Sequence, residues 1–229
     1  MSRHGRRLSA VPAWVWGALL AALAGQLAIT SSRTGQAAAE GALPPAPGVH
    51  ALRLASFGER EAAARIAMLY VQSFAKPDYP RLVEWLRVIL QLDPRSAYPL
   101  FSAARVYAET QDAARSRMAL EFVYQEFLRD PERRWPWLAH AALLAKHQLK
   151  DLALARRYAA AVDRHTSAPD VPLWARQMEI FILEDMNELE AAKIMLGGLL
   201  ESGAVRDPAE ARFLAERLKA LEARLGNSK

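Results

Sequence analysis

DPERRWPWLAHAALLAKHQLKDLALARRYAAAVDRHTSAPDVPLW, residues 130–174, is the stretch that decides the architecture. It opens on an aspartate-proline pair, carries apolar residues at helical spacing, breaks at the polar turn around Lys150 and Asp151, and resumes the same spacing. Proline lacks an N–H and presets φ for a first helical turn, so the pair stops one helix and starts the next. The stretch reads as two antiparallel helices, and its two tryptophans, Trp137 and Trp174, stand 37 residues apart.

Working outward, the same step of 37 connects Ala67, Ala104, Ala141, Met178 and Ala215. It also connects Tyr70, Tyr107, Leu144, Phe181 and Leu218, and Ala63, Leu100, Trp137, Trp174 and Ala211. A fourth column, Leu82, Ala119, Ala155 and Ala192, runs at 37, 36 and 37. Pro94, Pro131, Pro169 and Pro208 punctuate the unit ends, three of them preceded by aspartate. A fixed period in this range is the signature of repeat architectures. First helices are predicted near Glu59 to Lys76, Ser96 to Glu109, Arg134 to Leu149 and Val171 to Asp185. Second helices are predicted at Pro80 to Leu92, Asp112 to Arg129, Asp151 to His165 and Asn187 to Ser202. A last helix, Pro208 to Leu225, is rich in Arg and Glu, as a cap with one solvated face should be. No alternating β-branched run or Asn-Gly turn argues for strands. The expected class is all-α, built of antiparallel helical hairpin repeats over residues 58–226.

These residues resemble the tetratricopeptide repeats, whose pattern is W-x2-L-G-x2-Y, then a small residue and an aromatic in the second helix, then proline. Trp137, Ala141 and Leu144 match the large, small, large order, as do Leu100, Ala104 and Tyr107; Trp174, Met178 and Phe181 match it loosely. Ala119, Ala155 and Ala192 fill the small position of the second helix. The likeness covers about Glu59 to Leu225. It departs from the family in period, which is about 34 there, and in lacking glycine at the small position. The resemblance implies a tetratricopeptide-like α-solenoid with a protein-binding inner groove. Carried over residue by residue, that groove holds Tyr98, Phe101, Arg105 and Glu109, then Trp135, Leu138 and Lys146, then Glu179 and Ile182. The carboxylate-clamp variant of the family needs asparagines where this chain has Ser102, Ala139 and Arg176, so that specificity is not implied. Packing of these residues against a neighbouring hairpin, or against a second copy of the protein, is the competing reading.

Ahead of the repeats, Val11 to Ile29 reads VPAWVWGALLAALAGQLAI. Nineteen helical residues span about 28 Å, close to a bilayer's hydrocarbon thickness of about 30 Å. Arg3, Arg6 and Arg7 precede the run, and Trp14 and Trp16 stand near its start. The positive-inside tendency then keeps residues 1–10 in the cytoplasm and sends the rest outward. The expectation is a single-pass anchor over residues 11–29 in the cytoplasmic membrane, with the repeat domain outside (periplasm if the cell has one). The alternative is a cleaved signal peptide, for which Ala37 and Ala39 supply an A-x-A pattern. Residues 30–57, with Pro44, Pro45 and Pro47, are expected to be a flexible linker.

Composition narrows the function. The chain has 229 residues, a formal charge of +5 and no cysteine, which excludes disulfides and a thiolate nucleophile. Residues 1–33 hold four arginines and no acid, leaving 26 bases and 25 acids over the remainder. The folded part is therefore near neutral, and nucleic-acid binding, which needs bases on the contact surface, is not expected. His4, His50, His140, His147 and His165 form no ligand set; His140 and His147 are about 10.5 Å apart along one helix and lack the H-E-x-x-H arrangement. The run Glu184, Asp185, Glu188 and Glu190 lacks a calcium loop's spacing and reads as a solvated turn with a helix start capped at Asn187. Gly197 and Gly198 read as a close helix contact. No metal or cofactor is expected. The reading is a non-enzymatic, membrane-tethered interaction scaffold or chaperone accessory that binds a peptide or helix of a protein partner. The alternative is a permanent structural subunit of a membrane complex.

Overall fold

The computed structural model describes residues 43–227, together with Pro12, residues 14–17 and residues 20–21. The basic segment 1–10 and most of the expected span 11–29 lie outside the described residues. Among the described residues no helix is long and apolar enough to cross a membrane.

All regular structure among them is helical. The elements are α1 (Val49–Ala55), α2 (Arg60–Gln72), α3 (Tyr79–Leu92), α4 (Tyr98–Ser102, continued by a π-turn at Ala103–Tyr107), α5 (Ala113–Phe127), α6 (Pro131–His147), α7 (Leu152–His165), α8 (Leu173–Asp185), α9 (Leu189–Glu201) and α10 (Pro208–Gly226). From α2 onward each helix packs on the one before it and the one after it. The first helices of successive units also touch, α4 on α6 and α6 on α8, as do the second helices α3 and α5. One apolar cluster extends from Leu43 to Ile182, and a second joins α8, α9 and α10 through Leu183, Leu196, Leu214 and Leu221. Helix α8 contributes to both, Met178 and Ile182 to the first, Ile180 and Leu183 to the second.

The columns read from the sequence explain this packing. Leu82, Ala119, Ala155 and Ala192 are all buried, as are Ala67, Ala104, Ala141 and Met178. Alanine at a helix contact lets two backbones approach, and the larger neighbours Leu86, Leu120, Phe122, Phe127, Leu138 and Tyr158 fill the space on either side. Aspartates start the helices: Asp112 accepts from the Ala114 and Arg115 N–H groups, Asp151 from Leu154, and Asp207 from Ala209. A buried arginine ties two helices and a turn. Arg134, on α6, donates to the Glu126 carboxylate at 3.0 Å, to the Glu126 carbonyl at 2.7 Å and to the Pro94 carbonyl at 3.2 Å. That bond set seats the first turn of α6, which therefore begins at Pro131 rather than at Arg134.

Four expectations change. The linker placed at 30–57 is structured from Leu43: that residue is fully buried, its carbonyl accepts from Arg81, the Pro44 carbonyl accepts from the Trp85 indole at 2.8 Å, and α1 follows. Proline-rich composition hid this because the docking rests on a single leucine and on backbone carbonyls, which composition does not reveal. Gly197 and Gly198 are not a close contact, since a Cβ added at either would meet nothing within 4 Å. Asn187 is not the cap of α9 but the left-handed turn residue before it, at φ 61°, with Glu188 at the cap. Trp174, on a core column, is 52% exposed, and Tyr70 is also exposed.

Two outcomes follow from the packing. Ala155→Trp overfills a closed helix contact and should destabilise the protein by about 1–3 kcal/mol or more, read as a lowered denaturant midpoint. Gly198→Ala should stabilise it by about 0.5–1 kcal/mol, because a methyl there meets open space and removes backbone freedom from the unfolded chain. The same denaturation curve checks both, with opposite signs.

Candidate protein-binding face

Aromatic side chains collect where α2, α4 and α6 meet. The Gln72 amide on α2 donates to the Tyr98 hydroxyl at 2.8 Å. The Tyr98 ring stacks on Phe101 at 5.9 Å and 15°, and Phe101 meets the Trp137 ring edge-on at 5.8 Å. Tyr98 and Phe101 are both exposed and Trp137 is half-buried, so the row is anchored from below and open above. Beside it lies a cavity of about 410 Å³ lined by Met68, Leu69, Gln72, Ile89, Tyr98 and Pro99. Pro99 lies in the first turn of α4, and helical spacing puts Tyr98 and Phe101, three residues apart, on one side of the helix.

Charges border the row on its α4–α6 side. Arg105 and Glu109 pair at 3.7 Å, and Glu109 lies 3.6 Å from the His140 imidazole. Burial, reinforced by the nearby Arg105 guanidinium and only partly offset by Glu109, lowers the His140 pKa. Its ring is therefore neutral at neutral pH. Further along, Lys146 pairs with Asp185 of α8. The π-turn at Ala103–Tyr107 closes through an Ala108 N–H to Ala103 carbonyl bond and carries Arg105 and Val106 outward.

Of the nine residues carried over from the repeat resemblance, Tyr98, Phe101, Arg105 and Glu109 stand together and exposed, and Lys146 is half-buried in its ion pair. Leu138, Glu179 and Ile182 do not belong to an open groove. Leu138 is fully buried on a helix covered by α4 and α8, and Ile182 is buried in the larger cluster. Glu179 is buried and accepts from Arg156 of α7 at 3.1 Å. Trp135 is half-buried and packs edge-on against Trp174 at 5.8 Å, forming a separate aromatic pair between α6 and α8. The clamp positions hold no open polar pocket: Ser102 and Ala139 are buried, and Arg176 donates to the Ala168 carbonyl at 2.8 Å. Residues missed by the carry-over are Leu69, Val106 and Leu143, all exposed and spaced by 37. That spacing was available as a signal, an apolar column in phase with the repeat but on the face away from the core columns.

No family model, curated protein or solved structure matches this chain.

Elsewhere the polar groups serve the packing between hairpins. Arg157 lies over the Tyr124 and Tyr158 rings, at 4.8 and 5.1 Å, and pairs with Glu121. Burial pushes the Tyr158 phenol up to about 12. Glu184 accepts from Arg217 at 2.6 Å, which spends one member of the acidic run on holding α10. Among the described residues no cluster of His, Asp and Glu is arranged to hold a metal.

The depressed His140 pKa has a consequence for stability. The unfolded imidazole takes up a proton near pH 6.5 while the native one resists it, so stability present above that pH is lost as pH falls toward the native value. Chemical denaturation at pH 7.5 and 5.5 should show a smaller loss for His140→Gln than for the unsubstituted protein. An equal loss in both would mean that His140 is not the group that titrates.

Proposed function

We propose that this protein is a non-catalytic, membrane-tethered interaction scaffold, a tetratricopeptide-like hairpin array that captures a peptide or helix of a protein partner. The observation that carries the reading is the open aromatic row Tyr98, Phe101 and Trp137 beside an apolar cavity of about 410 Å³. Large rings held rigid by their neighbours lose little entropy when they bind, and such residues dominate the affinity of many interfaces. The exposed column Leu69, Val106 and Leu143 extends the apolar strip across three first helices, which suits an apolar segment laid across the hairpins. Arg105 and Glu109 at the border supply a polar rim.

The recurrence of 37 residues and the contacts of each helix with its sequence neighbours support the repeat-array reading. The apolar run 11–29 and the arginines before it support an anchor in the cytoplasmic membrane with the array on the outer side. In that arrangement the partner is a protein at or beyond the outer surface of that membrane. A second reading, a permanent subunit of a membrane complex, draws on exposed Ile194 and Phe213 near the far end of the array, where a fixed neighbour would cover them.

The test is in-cell crosslinking and affinity capture with the full chain. Tyr98→Ala combined with Phe101→Ala should leave the melting temperature nearly unchanged and weaken capture at least about thirtyfold, the equivalent of one strong contact residue. Trp137→Ala should instead lower stability first, because its ring supports the row from below. Full capture by a stable double variant would sink the groove reading. Companions that survive purification at fixed stoichiometry would favour the permanent subunit.

A further inference from the structure

The turn that closes α1 is built in an unusual way. The Phe57 N–H donates to the Leu54 carbonyl at 3.1 Å and the Gly58 N–H to the Arg53 carbonyl at 2.9 Å, a paired pattern that ends many helices. Its left-handed position is normally glycine, since a Cβ is strained there. Here it is Phe57, at φ 53°, followed by Gly58 at φ 89°. Phe57 is 97% exposed, so packing does not explain it either. Leu54, 80% exposed, shares a surface hollow with it, and Ile66, 67% exposed, lies on the adjoining helix α2. Ile66 also lines an apolar cavity of about 370 Å³ with Leu52, Ala55, Tyr70 and Trp85. The exposed His50, the half-exposed Arg53 and the exposed Arg60 flank the tip. Of the nearby acids, Glu61 is paired with Arg65 at 3.4 Å, and Glu59 sits at the amino end of α2, where the helix dipole favours it.

The chain's own layout says what this surface faces. Leu43 and Pro44 are fixed to Arg81 and Trp85 of α3, beside α1, so the polypeptide enters the domain at the end that carries Phe57. Only residues 30–42 separate that entry point from the apolar run 11–29. Thirteen residues reach at most about 45 Å. On the anchor reading the α1 end is then tethered within that reach of whatever surface the run 11–29 occupies, while α10 follows at the far end of the succession of helix contacts.

We propose that the α1 tip, with Phe57 and Leu54, seats in the interfacial layer of the bilayer that holds residues 11–29, while Arg53 and Arg60 meet lipid phosphates. This rests on the anchor reading above. Aromatic rings favour the headgroup boundary, and basic side chains beside an apolar tip add attraction to lipid phosphates. Two attachments, the span and the tip, would fix the tilt of the array and present the aromatic row at a set height above the membrane.

The chain contains no cysteine, so a single introduced thiol reports one site. The full chain carrying Phe57→Cys, Leu54→Cys or Lys219→Cys is labelled with an environment-sensitive fluorophore. It is then reconstituted in phosphatidylcholine and phosphatidylglycerol vesicles that contain nitroxide lipid. The expected result is quenching at 57 and 54 at least threefold greater than at 219. Equal, weak quenching at all three sites overturns the proposal. A probe at 57 that is shielded from water but untouched by nitroxide also overturns it, because protein, such as a second copy, then covers the face. A separate alkaline wash of the vesicles tests the anchor itself. Release of the chain counts against the span alone, and the quenching comparison still decides the tip.

Discussion

Close contact between helices at alanine is the constraint on which this molecule depends. Ala119, Ala155 and Ala192 occupy equivalent places in successive second helices, all buried, and Ala67, Ala104 and Ala141 do the same in the first helices. A small side chain brings backbones together, which lets Leu120, Phe127, Leu138 and Tyr158 fill the gaps beside them. Successive helices bury their apolar sides against one another, so burial runs along the chain in a large cluster and a smaller one that meet at α8.

Polar links then set the register that apolar packing leaves loose. Arg134 holds Glu126 and the Pro94 carbonyl, Arg117 reaches Asp151 at 2.5 Å, and Arg217 reaches Glu184. Each bridges residues of different helices or of a helix and a turn. A buried guanidinium needs several acceptors to offset its lost hydration, and Arg134 has three. On the open surface of the first helices, exposed pairs such as Arg105 with Glu109 and Glu61 with Arg65 stand beside aromatic and aliphatic groups.

Apart from Trp137, that surface sits beside the core columns and not on them. Trp137 shows the division within one side chain, half-buried in the hairpin contact and edge-on to the exposed Phe101. At the other extreme Phe57 occupies a strained turn position with almost no contacts of its own, which places an aromatic ring in solvent at the end where the polypeptide enters the domain.

The sequence by itself determined the helical class and the approximate bounds of nine of the helices, because apolar residues recur at helical spacing and aspartates and prolines mark many of the ends. The repeat resemblance also grouped Tyr98, Phe101, Arg105 and Glu109, which follow one another at steps of three and four, and these four stand together and exposed. Tertiary structure decided the rest. Leu138, Glu179 and Ile182 share the phase of groove positions, yet α6 and α8 are flanked by helices on both sides, and that enclosure buries them. Trp174 keeps the core phase but lies at the first turn of α8 with Trp135 against it, and remains exposed. Leu43 and Pro44 dock through carbonyls that Arg81 and Trp85 happen to reach across about forty residues of sequence, and no local pattern encodes a partner that distant. Phase along one helix is a local property; coverage by neighbours is a property of the whole array.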